Sequence, residues 1–595
     1  MLISGNLRSA TGVFVIGTLL ASCGGGSGSV QSVPALPSSG GAKQAASLTV
    51  NLNVPITRTA SAHLRKPQYV STSTQSFAIT VGVSAPVNVN VSSLSPACNL
   101  GSTLVETTTS AQPTQIMPAT DGSGQLWYGT TGAPFNNIGQ ILYGGAKGKT
   151  VNTYDAGDPS YYDKIIAVGP DVDGSFWAGS FNAGTFSVGH VTGRSSYAPV
   201  AMGTLGSFHA TSFAQGAAAG DEYFTYADAT PTLQPSIGHI TAGAIDATPH
   251  GILTGNALRV KAGAGRVWLN ESDGSVAYMP TDGTYTVHAY VPAGAGSLTY
   301  QAGLMVAPDN SLYFVMVSGT QPSIGHLAAD FSSFTTISLP AFLNNAQITG
   351  LTLGPDGAIW MASITNGLFR VTTAGVVSGP YATPLGGAGA GVDDIATGSD
   401  KAIYFTEYNS AYYGRVALSY ACSATVPVPP GSTTVTIKAY DGQNATGNLL
   451  SQTLNNPVTV SANGTTNLSF TLDGIVDHVN LVATPNPAPL GCFSPYAGST
   501  TISAQAVDAG GNIIIGSGGV ADAAGNPLQL LLSAAQPTVS FSAPTLAWPA
   551  PTSSTATISN LATTPLTFSA VSTGATPANV PHGINPVSLS NSQLC

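Results

Sequence analysis

Leu126-Trp127-Tyr128 is the first of seven short apolar segments that recur along the middle of the chain, each built around aromatic residues. The others are Phe176-Trp177, Tyr223-Phe224, Val267-Trp268, Leu312-Tyr313-Phe314, Ile359-Trp360 and Ile403-Tyr404-Phe405. Counted from Trp127, successive aromatics are separated by 50, 46, 45, 45, 47 and 44 residues. A period in this range with strand-like composition is typical of a β-propeller, in which each repeat forms one four-stranded blade. Seven repeats therefore predict seven blades.

Each repeat also carries a turn and a third-strand motif. The turn is exemplified by Gly354-Pro355-Asp356-Gly357, and the third strand by Ile237-Gly238-His239-Ile240. Three histidines, His190, His239 and His326, share one position of that motif, where other repeats have Gln, Tyr or Arg. Because the position accepts such different side chains, we expect it to face solvent and to have a structural role.

The count of strands indicates how the ring closes. The seventh repeat ends near Ala417 after three strands, and the segment 103–108 offers a fourth. If that segment completes the last blade, the ring has no free edge at its seam. Cys98 and Cys422, just outside the two ends, should then be neighbours and form a disulfide. By the chain-entropy model such a bridge stabilises the fold by about 4–5 kcal/mol.

The composition of the chain reduces the number of functions that it could have. The chain has 595 residues, too many for one core, so two to four domains are expected. Only 7% of the residues are charged, the formal net charge is -10, and no basic stripe occurs. The chain therefore lacks the electrostatic pattern of a nucleic-acid-binding protein. An acidic, weakly charged surface fits a secreted protein that handles neutral ligands or partners.

The N-terminus indicates export. Arg8 precedes a short apolar run, 13–20, which is too short to span a bilayer. The following Leu20-Ala21-Ser22-Cys23 resembles the bacterial lipobox, which implies cleavage before Cys23 and a lipid on its sulfur; an ordinary secretory signal is the alternative. We predict a signal peptide over 1–22 and a flexible linker over 23–45. A glycine directly after the lipidated cysteine, as at Gly24, resembles the signal for sorting to the outer membrane. We therefore expect a lipid-anchored protein of the cell envelope, at the outer membrane.

The flanks predict further β domains. Segments 46–98 and 419–475 each hold about three to five strands, too few for an independent sandwich. Together they suit one discontinuous immunoglobulin-like sandwich with the propeller, 99–418, inserted in a loop; two separate small modules are the alternative. Segment 476–595 predicts a second immunoglobulin-like sandwich, across which Cys492 and Cys595 could pair. The predicted fold class is all-β.

Two stretches carry a family resemblance. Gly354-Pro355-Asp356-Gly357-Ala358-Ile359-Trp360 and Ile237-Gly238-His239-Ile240-Thr241 resemble the repeat of the streptogramin B lyase (virginiamycin B lyase) family, and Ile403-Tyr404-Phe405-Thr406-Glu407 adds to the likeness. The resemblance covers about 105–417. It implies a seven-bladed propeller and an enzyme that opens a cyclic depsipeptide at its ester by elimination, with histidine acid/base chemistry and a magnesium ion.

The resemblance also implies catalytic positions. His209 occupies the loop that enters the first strand of the third blade, and Glu271 and Glu407 match the glutamate that ends the aromatic strand. In the next blade the entry segment is Asn256-Ala257-Leu258-Arg259, without a second histidine. The candidate catalytic residues are therefore His209, Glu271 and Glu407.

The face on which these residues lie has a distinctive composition. Aromatic residues beside carboxylates suit a sugar or peptide ligand, by stacking and hydrogen bonding; a plain polar loop rim is the alternative. The candidate ligand-binding residues are Tyr161, Tyr162, Asp163, Phe208, Tyr300, Asp393 and Asp394. Asp393 and Asp394 could also hold a magnesium or calcium ion, although a binding protein would need no cofactor.

Three functions are compatible with the sequence. The first is a monomeric envelope lipoprotein whose propeller binds a protein, peptide or glycan on its axial face. The second is a carbon–oxygen lyase of the streptogramin lyase type. The third is a structural surface scaffold. Of these, we favour binding.

Overall fold

The computed structural model describes residues between Ala46 and Leu589. Segments outside the described residues are 1–45, 57–69, 93–94, 110–111, 119–125, 132–136, 142–149, 156–163, 172–174, 183–184, 192–196, 201–208, 217, 228–235, 242–243, 251–256, 264, 282–286, 293–302, 382–390, 463–464, 469–471, 486–495, 515–518, 537–538, 549, 562–564 and 590–595. The predicted signal peptide, linker and lipidated Cys23 therefore lie outside the described residues.

The described chain is almost entirely β-structure. Four strands precede the blades: β1 (Ala46–Pro55), β2 (Ser76–Val81), β3 (Val87–Asn90) and β4 (Cys98–Thr108). The first two blades comprise β5 (Gln112–Pro118), β6 (Leu126–Thr131), β7 (Asn137–Ile141), β8 (Thr150–Asp155), β9 (Lys164–Pro170), β10 (Phe176–Asn182), β11 (Thr185–Val191) and β12 (Tyr197–Val200). The third and fourth comprise β13 (His209–Gln215), β14 (Glu222–Ala227), β15 (Ser236–Thr241), β16 (Ala244–His250), β17 (Ala257–Gly263), β18 (Arg266–Glu271), β19 (Val276–Pro280) and β20 (His288–Tyr290).

The remaining blades follow the same order. The fifth and sixth comprise β21 (Leu304–Val306), β22 (Leu312–Ser318), β23 (Gln321–Leu327), β24 (Phe334–Ser338), β25 (Ile348–Leu353), β26 (Ile359–Ser363), β27 (Gly367–Val371) and β28 (Val377–Tyr381). A 3₁₀ turn, Ala341–Leu343, joins them. The seventh begins with β29 (Gly391–Thr397), β30 (Ile403–Tyr408) and the long β31 (Tyr412–Val428).

The seven blades form a closed ring. Within each blade the strands pair antiparallel in chain order. The first strand of each blade contacts the first strand of the next, and β29 of the seventh blade contacts β5 of the first. The predicted seven-bladed propeller and the all-β fold class are therefore confirmed.

The seam of the ring is closed as the sequence predicts. Strand β4 pairs antiparallel with β31, in a register that runs from Thr108↔Tyr412 to Cys98↔Cys422. It supplies the fourth strand of the seventh blade, whose third strand is β31. Cys98 and Cys422 form a disulfide at the end of this ladder, at a sequence separation of 324. The predicted bridge is confirmed.

Strands from both flanks of the propeller share sheets. Beyond the seventh blade, β31 continues and pairs antiparallel with β1. A six-stranded sheet has the order β3-β2-β32-β33-β35-β38, in which β32 (Gly431–Tyr440), β33 (Leu449–Val460), β35 (Asp473–Ile475) and β38 (Val520–Ala521) follow the propeller. Strand β34 (Thr465–Leu468) pairs with β1, and a second 3₁₀ turn spans Gln443–Ala445. The domain boundaries given above, and the immunoglobulin-like class of the flanks, stay predictions.

The C-terminal part forms two sheets around one apolar core. The first has the order β40-β42-β37-β36-β44 and the second β41-β39-β43-β45. Their strands are β36 (His478–Pro485), β37 (Tyr496–Val507), β39 (Gln529–Ala534), β40 (Val539–Phe541), β41 (Thr545–Ala547), β42 (Ser553–Leu561), β43 (Leu566–Ser572), β44 (Ile584–Asn585) and β45 (Val587–Leu589). Val479, Ile502, Leu530 and Phe568 are buried between them. Within the described residues, no helix has the length and apolar character needed to cross a bilayer.

The glycine of the third-strand motif makes room for an aromatic ring. Gly238 lies opposite Phe224, and a Cβ at this glycine would sit 2.1 Å from Phe224 Cζ. Gly414 lies opposite Phe405 in the same way, with a corresponding distance of 2.0 Å. Because any side chain there would displace the buried ring, the motif requires glycine wherever its cross-strand partner is a phenylalanine.

The next residue of the third-strand motif binds the turn of its own blade, also in the sixth repeat, where Phe369 stands in place of the glycine. In the sixth blade Arg370 Nε donates to Asp356 Oδ2 at 2.5 Å, and Trp360 Nε1 donates to Asp356 Oδ1 at 3.2 Å. His239 is equivalent: it stacks on Tyr223 with ring centroids 4.1 Å apart and pairs with Asp221. The prediction of a solvent-facing position is wrong for His239 and Arg370, which are buried, whereas His190 and His326 are half-buried. The stacking and the ion pair agree with the expected structural role. Different side chains are accepted because several types can stack on the aromatic ring and bind the turn carboxylate.

Candidate functional site

A bulge shapes the inner wall of the ring. In six of the seven blades the pairing between the first and second strands shifts by one residue near the start of the inner strand. The extra residue of such a bulge is unpaired, and its side chain is aimed differently from those of its neighbours. In the seventh blade the extra residue is Asp393, between Val392 and Asp394.

An ion pair crosses the centre of the ring just after the bulge. Arg259 on β17 of the fourth blade donates from Nη1 to Asp394 Oδ1 on β29 of the seventh blade, at 2.6 Å. Their side chains are only 6% and 2% exposed. Ile116 N of the first blade donates to the other carboxylate oxygen at 3.1 Å. Since the fourth and seventh blades are not adjacent, the pair joins opposite sides of the ring.

Other contacts between non-adjacent blades lie beside this pair. Gln115 Nε2 of the first blade donates to Ser212 Oγ of the third at 3.4 Å. Lys261 Nζ of the fourth blade lies 3.4 Å from Met117 Sδ of the first. We call Gln115, Ser212, Arg259, Lys261 and Asp394 the axial cluster. Because its contacts run between inner strands across the ring, the cluster fills the axis at this level.

Small residues in the other inner strands leave room for the cluster. Gly303 and Gly350, of the fifth and sixth blades, occupy the register position that Arg259 and Asp394 occupy in theirs. A Cβ at Gly350 would lie 2.8 Å from Asp394 Oδ1, so a side chain there would disturb the carboxylate. The long Arg259 side chain and the glycines are therefore complementary in volume.

The carboxyl group of Asp393 lies in the same site but takes no part in the ion pair. Its residue is 8% exposed, and within the described residues its carboxyl group has no hydrogen-bond partner. Burial, reinforced by the neighbouring charge of Asp394 and opposed by Arg259, raises the pKa of the Asp393 carboxyl to about 7. Near neutral pH the group is therefore poised between its protonated and ionised forms, and it can donate or accept a hydrogen bond to a ligand.

Lys261 gives the axial cluster a second perturbed group. Burial lowers the pKa of the Lys261 ammonium to about 8, with Asp394 opposing the shift and Arg259 adding to it. Its contact with the Met117 thioether is a weak hydrogen bond. A carboxyl group and an amine that both titrate close to neutral pH mark this axis as a candidate functional site.

Glu271 and Glu407 lie at equivalent strand ends in the two blades that the ion pair joins. Glu271 pairs with Ala257 at the start of β17, and Glu407 pairs with Val392 at the start of β29. Both are fully buried. Glu407 Oε2 accepts a hydrogen bond from Ser410 Oγ at 2.5 Å. The two glutamates thus flank the entry ends of the strands that carry Arg259 and Asp394.

The other predicted site residues fall into two groups. His209 is the first residue of β13, so it lies at the same end of its inner strand as Asp393 does of β29; the structure describes only its backbone. Tyr161, Tyr162, Asp163, Phe208, Tyr300, Cys492 and Cys595 lie outside the described residues. Asp393 and Asp394 both lie near the axis of the ring, but the Asp394 carboxylate already forms an ion pair with Arg259.

Sequence reasoning missed Arg259 and Lys261. The signal was present, because two cations in one seven-residue strand are conspicuous in a chain with only 16 lysines and arginines. A long cation in a buried inner strand predicts a buried acidic partner, because an unpaired buried charge is costly. Which carboxylate it meets depends on ring closure, which brings residues 135 positions apart into contact.

A second buried acidic group lies between the second and third blades. Glu222 occupies the strand position that holds Leu126, Phe176, Val267, Leu312, Ile359 or Ile403 in the other repeats. It is fully buried, and among the residues that the structure describes neither carboxylate oxygen has a hydrogen-bond partner. Burial, reinforced by Asp171 and Asp221, raises the pKa of the Glu222 carboxyl well above its ordinary value.

The described acidic and histidine side chains do not converge on a metal site. Among the described residues, no group of three or more His, Cys, Asp or Glu side chains is placed to hold a metal ion. The proposal of a magnesium or calcium ion at Asp393 and Asp394 therefore rests on the sequence.

Comparisons with known proteins identify no family for this chain. No family model and no curated protein matches the sequence. Among solved structures, the WD40 β-propeller domain of Doa1 matches with a TM-score of 0.40 and 12% identity, covering 53% of this chain and 97% of that one. The extracellular domain of a hybrid two-component system protein from B. thetaiotaomicron matches with a TM-score of 0.37 and 11% identity, covering 72% and 55%. A protein described as a gluconolactonase matches with a TM-score of 0.32 and 11% identity, covering 53% and 92%. The blade count itself rests on the hydrogen-bonded sheets.

Proposed function

We propose that this chain is a lipid-anchored protein of the bacterial cell envelope whose propeller binds a glycan, peptide or protein ligand on the axial face that carries Asp393. One observation carries the proposal. A nearly buried carboxyl group, aimed by a bulge and without a hydrogen-bond partner in the described residues, lies beside an ion pair that crosses the ring. Buried polar groups are normally satisfied, so an unsatisfied one at the axis favours a ligand or water as its partner.

The chemistry of Asp393 favours a neutral, hydrogen-bonding ligand. With a pKa of about 7, its carboxyl group accepts hydrogen bonds when ionised and also donates one when protonated. Hydroxyl and amide groups can meet both demands, and glycans and peptides present such groups. The charge of Arg259 is already neutralised by Asp394. The Arg259 guanidinium is therefore not available to pair with a strongly anionic ligand.

A binding screen tests the proposal. The intact chain, its Asp393→Asn variant and an Asp330→Asn variant would be applied to glycan and peptide arrays. Asp330 is a matched control because it lies in an exposed turn and forms its hydrogen bonds with Ser332. We expect a ligand that binds the intact chain and the Asp330 variant equally, and the Asp393 variant at least about tenfold more weakly.

The pH dependence sharpens that test. For a ligand that donates to the Asp393 carboxylate, affinity should rise as pH rises through about 7, and the dependence should vanish in Asp393→Asn. Equal binding by all three proteins at every pH would contradict the proposed role of Asp393. A purely structural scaffold would show no ligand on either array.

The envelope location has its own test. The apolar run 13–20 and the sequence Leu20-Ala21-Ser22-Cys23 support lipidation at Cys23. Metabolic labelling with a fatty-acid analogue in a bacterial host should mark the intact chain, and Cys23→Ser should abolish the label. Labelling that persists in this variant would contradict the lipid anchor.

A second candidate function is that of a streptogramin lyase-like enzyme. It is favoured by Glu271 and Glu407, which lie at equivalent strand ends in the two blades joined by Arg259 and Asp394. A general base near a group that steadies an enolate is what ester elimination requires. Ring opening of a cyclic depsipeptide would be measured with and without magnesium, in the intact chain and in His209→Ala. Activity that is unchanged by the substitution would remove His209 from the mechanism.

A further inference from the structure

A groove of about 700 Å³ lies outside the propeller, between an edge strand of the flanking sheet and the end of β31. One wall is the whole of β3, Val87–Asn90. The opposite wall is formed by Ser423, Ala424 and Thr425 of β31. Ser92, Ser95, Pro96, Ala97 and Gln443 complete the lining. The groove is therefore bounded along two sides by strands.

The β3 wall presents unused backbone groups. Strand β3 is the last strand of its sheet and pairs only with β2. Gly82 N donates to Thr434 O, so the even-numbered residues of β2 face β32 and its odd-numbered residues face β3. Val87 and Val89 of β3 therefore bond to β2, while the N–H and C=O groups of Asn88 and Asn90 point outward. Asn90 O lies 3.5 Å from Cys98 Sγ, which places this outward edge beside β4 and the disulfide.

The β31 wall is likewise open. Ile56 N donates to Leu418 O, so the even-numbered residues of β31 face β1. The odd-numbered residues face the side on which β4 ends, at Cys98 opposite Cys422. After Ser423 N, which donates to Ala97 O, the next outward N–H and C=O belong to Thr425. Within the described residues, these Thr425 groups and those of Asn88 form no backbone hydrogen bond.

The chemistry of the groove identifies the kind of occupant. None of its lining residues carries a charge, and most are Asn, Ser, Thr, Ala or Val. Next to the groove, Val83 is fully exposed at the tip of the β2–β3 hairpin, and Val87 is also exposed. Unused backbone donors and acceptors on both walls, at Asn88 and Thr425, suit an extended backbone, which inserts by β-strand addition. A charged segment would lose hydration in such a groove without gaining a partner.

We propose that this groove is a docking site for one extended, uncharged peptide segment of a partner protein, which adds as a strand to the outward edge of β3 and is flanked by Thr425. The segment would carry small or β-branched side chains, because Ser, Thr and Ala line the walls. The site is separate from the axial face, so it provides the chain with a second interaction surface.

A synthetic probe tests this proposal. The probe is an acetylated, amidated heptapeptide of alternating valine and threonine with serine at each end, and the control probe is the same peptide with every second amide N-methylated. Binding to the full chain would be measured by fluorescence anisotropy, and hydrogen exchange would be followed at 87–90 and 423–428. We expect binding of the first peptide only, with slower exchange at both edges.

Two variants separate backbone from side-chain recognition. Asn88→Pro removes an outward N–H while leaving the pairing with β2 intact, and should weaken binding about tenfold or more. Asn88→Ala keeps that N–H and should bind within about threefold of the intact chain. Thr425→Pro repeats the test on the opposite wall.

Three results would overturn the proposal. Equal binding of the N-methylated peptide would exclude strand addition. Loss of binding in Asn88→Ala would indicate recognition by side-chain amides, as for a glycan. Edge amides that are already protected from exchange without peptide would mean that another part of this chain fills the groove.

Discussion

Arg259 of the fourth blade and Asp394 of the seventh form a buried ion pair, with Nη1 2.6 Å from Oδ1, that crosses the centre of the ring. Residues of the first and third blades contact one another across the same region, and Ile116 N adds a hydrogen bond to Asp394. In a ring built from contacts between neighbouring blades, this pair is a contact between opposite blades. It should therefore contribute to the cooperativity of the propeller as well as to its candidate site.

Breaking the pair on one side should cost more than removing both partners. Arg259→Met or Asp394→Leu leaves a buried charge without its partner, and each should lower the free energy of unfolding by about 3–5 kcal/mol. The double variant should lose clearly less than the sum of the two, because no uncompensated charge remains. Denaturant unfolding of the four proteins measures the coupling. Additive losses would mean that the two side chains do not interact.

Adding a methyl group at Gly238 should destabilise the third blade. Its Cβ would lie 2.1 Å from Phe224 Cζ, so Gly238→Ala should cost about 1–3 kcal/mol as an overpacked core substitution. Gly101→Ala is the matched control, because Gly101 also lies in a strand and its Cβ would meet nothing closer than 3.6 Å. Thermal unfolding should separate the two variants. Equal melting temperatures would show that Phe224 moves aside freely.

Removing the charge at Glu222 should stabilise the protein at neutral and alkaline pH. The folded-state pKa of Glu222 is raised above its ordinary value of 4.5, so folding binds a proton and stability falls as pH rises above 4.5. Glu222→Gln should be more stable than the intact chain at pH 8, by about 1–3 kcal/mol, the usual cost of an unsatisfied buried group.

The pH profile provides the control for Glu222. Near pH 4 the carboxyl group is protonated in both the folded and unfolded states, so Glu222→Gln and the intact chain should unfold at nearly the same denaturant concentration. A gain that is equally large at pH 4 and pH 8 would point to packing rather than to charge.

Removing the disulfide should weaken the closure of the ring. Cys98→Ala with Cys422→Ala releases a loop of 324 residues in the unfolded chain, and the free energy of unfolding should fall by about 3–5 kcal/mol. Denaturant midpoints of the oxidised chain and the double variant measure the loss. Reduction of the intact chain should reproduce the midpoint of the variant. A midpoint that does not change on removal of both cysteines would show that β4 alone closes the seam.

Much of the architecture was accessible from the sequence because it is periodic and local. The aromatic pairs at near-constant spacing predicted the seven blades, and the incomplete seventh repeat predicted both the closing strand and the neighbouring cysteines. Each of these inferences needs only strand patterning and the fact that a ring brings its ends together. The position shared by His239 and Arg370 was misread as solvent-facing, since a pattern of varied polar residues does not reveal a stacked aromatic ring and a turn carboxylate beneath it.

The sequence by itself thus determined the repeats, their number and the place where the ring is sealed, since these depend on the spacing of residues along one chain. Only the tertiary structure decided that Arg259 meets Asp394, that Asp393 has no partner among the described residues, and that β3 and β31 present open edges to one groove. Those relationships join residues far apart in the chain. The ion pair arises because closing seven sheets around an axis brings inner strands of opposite blades together, and the groove arises because strands from both flanks of the propeller lie side by side. Local patterning carries no record of either approach.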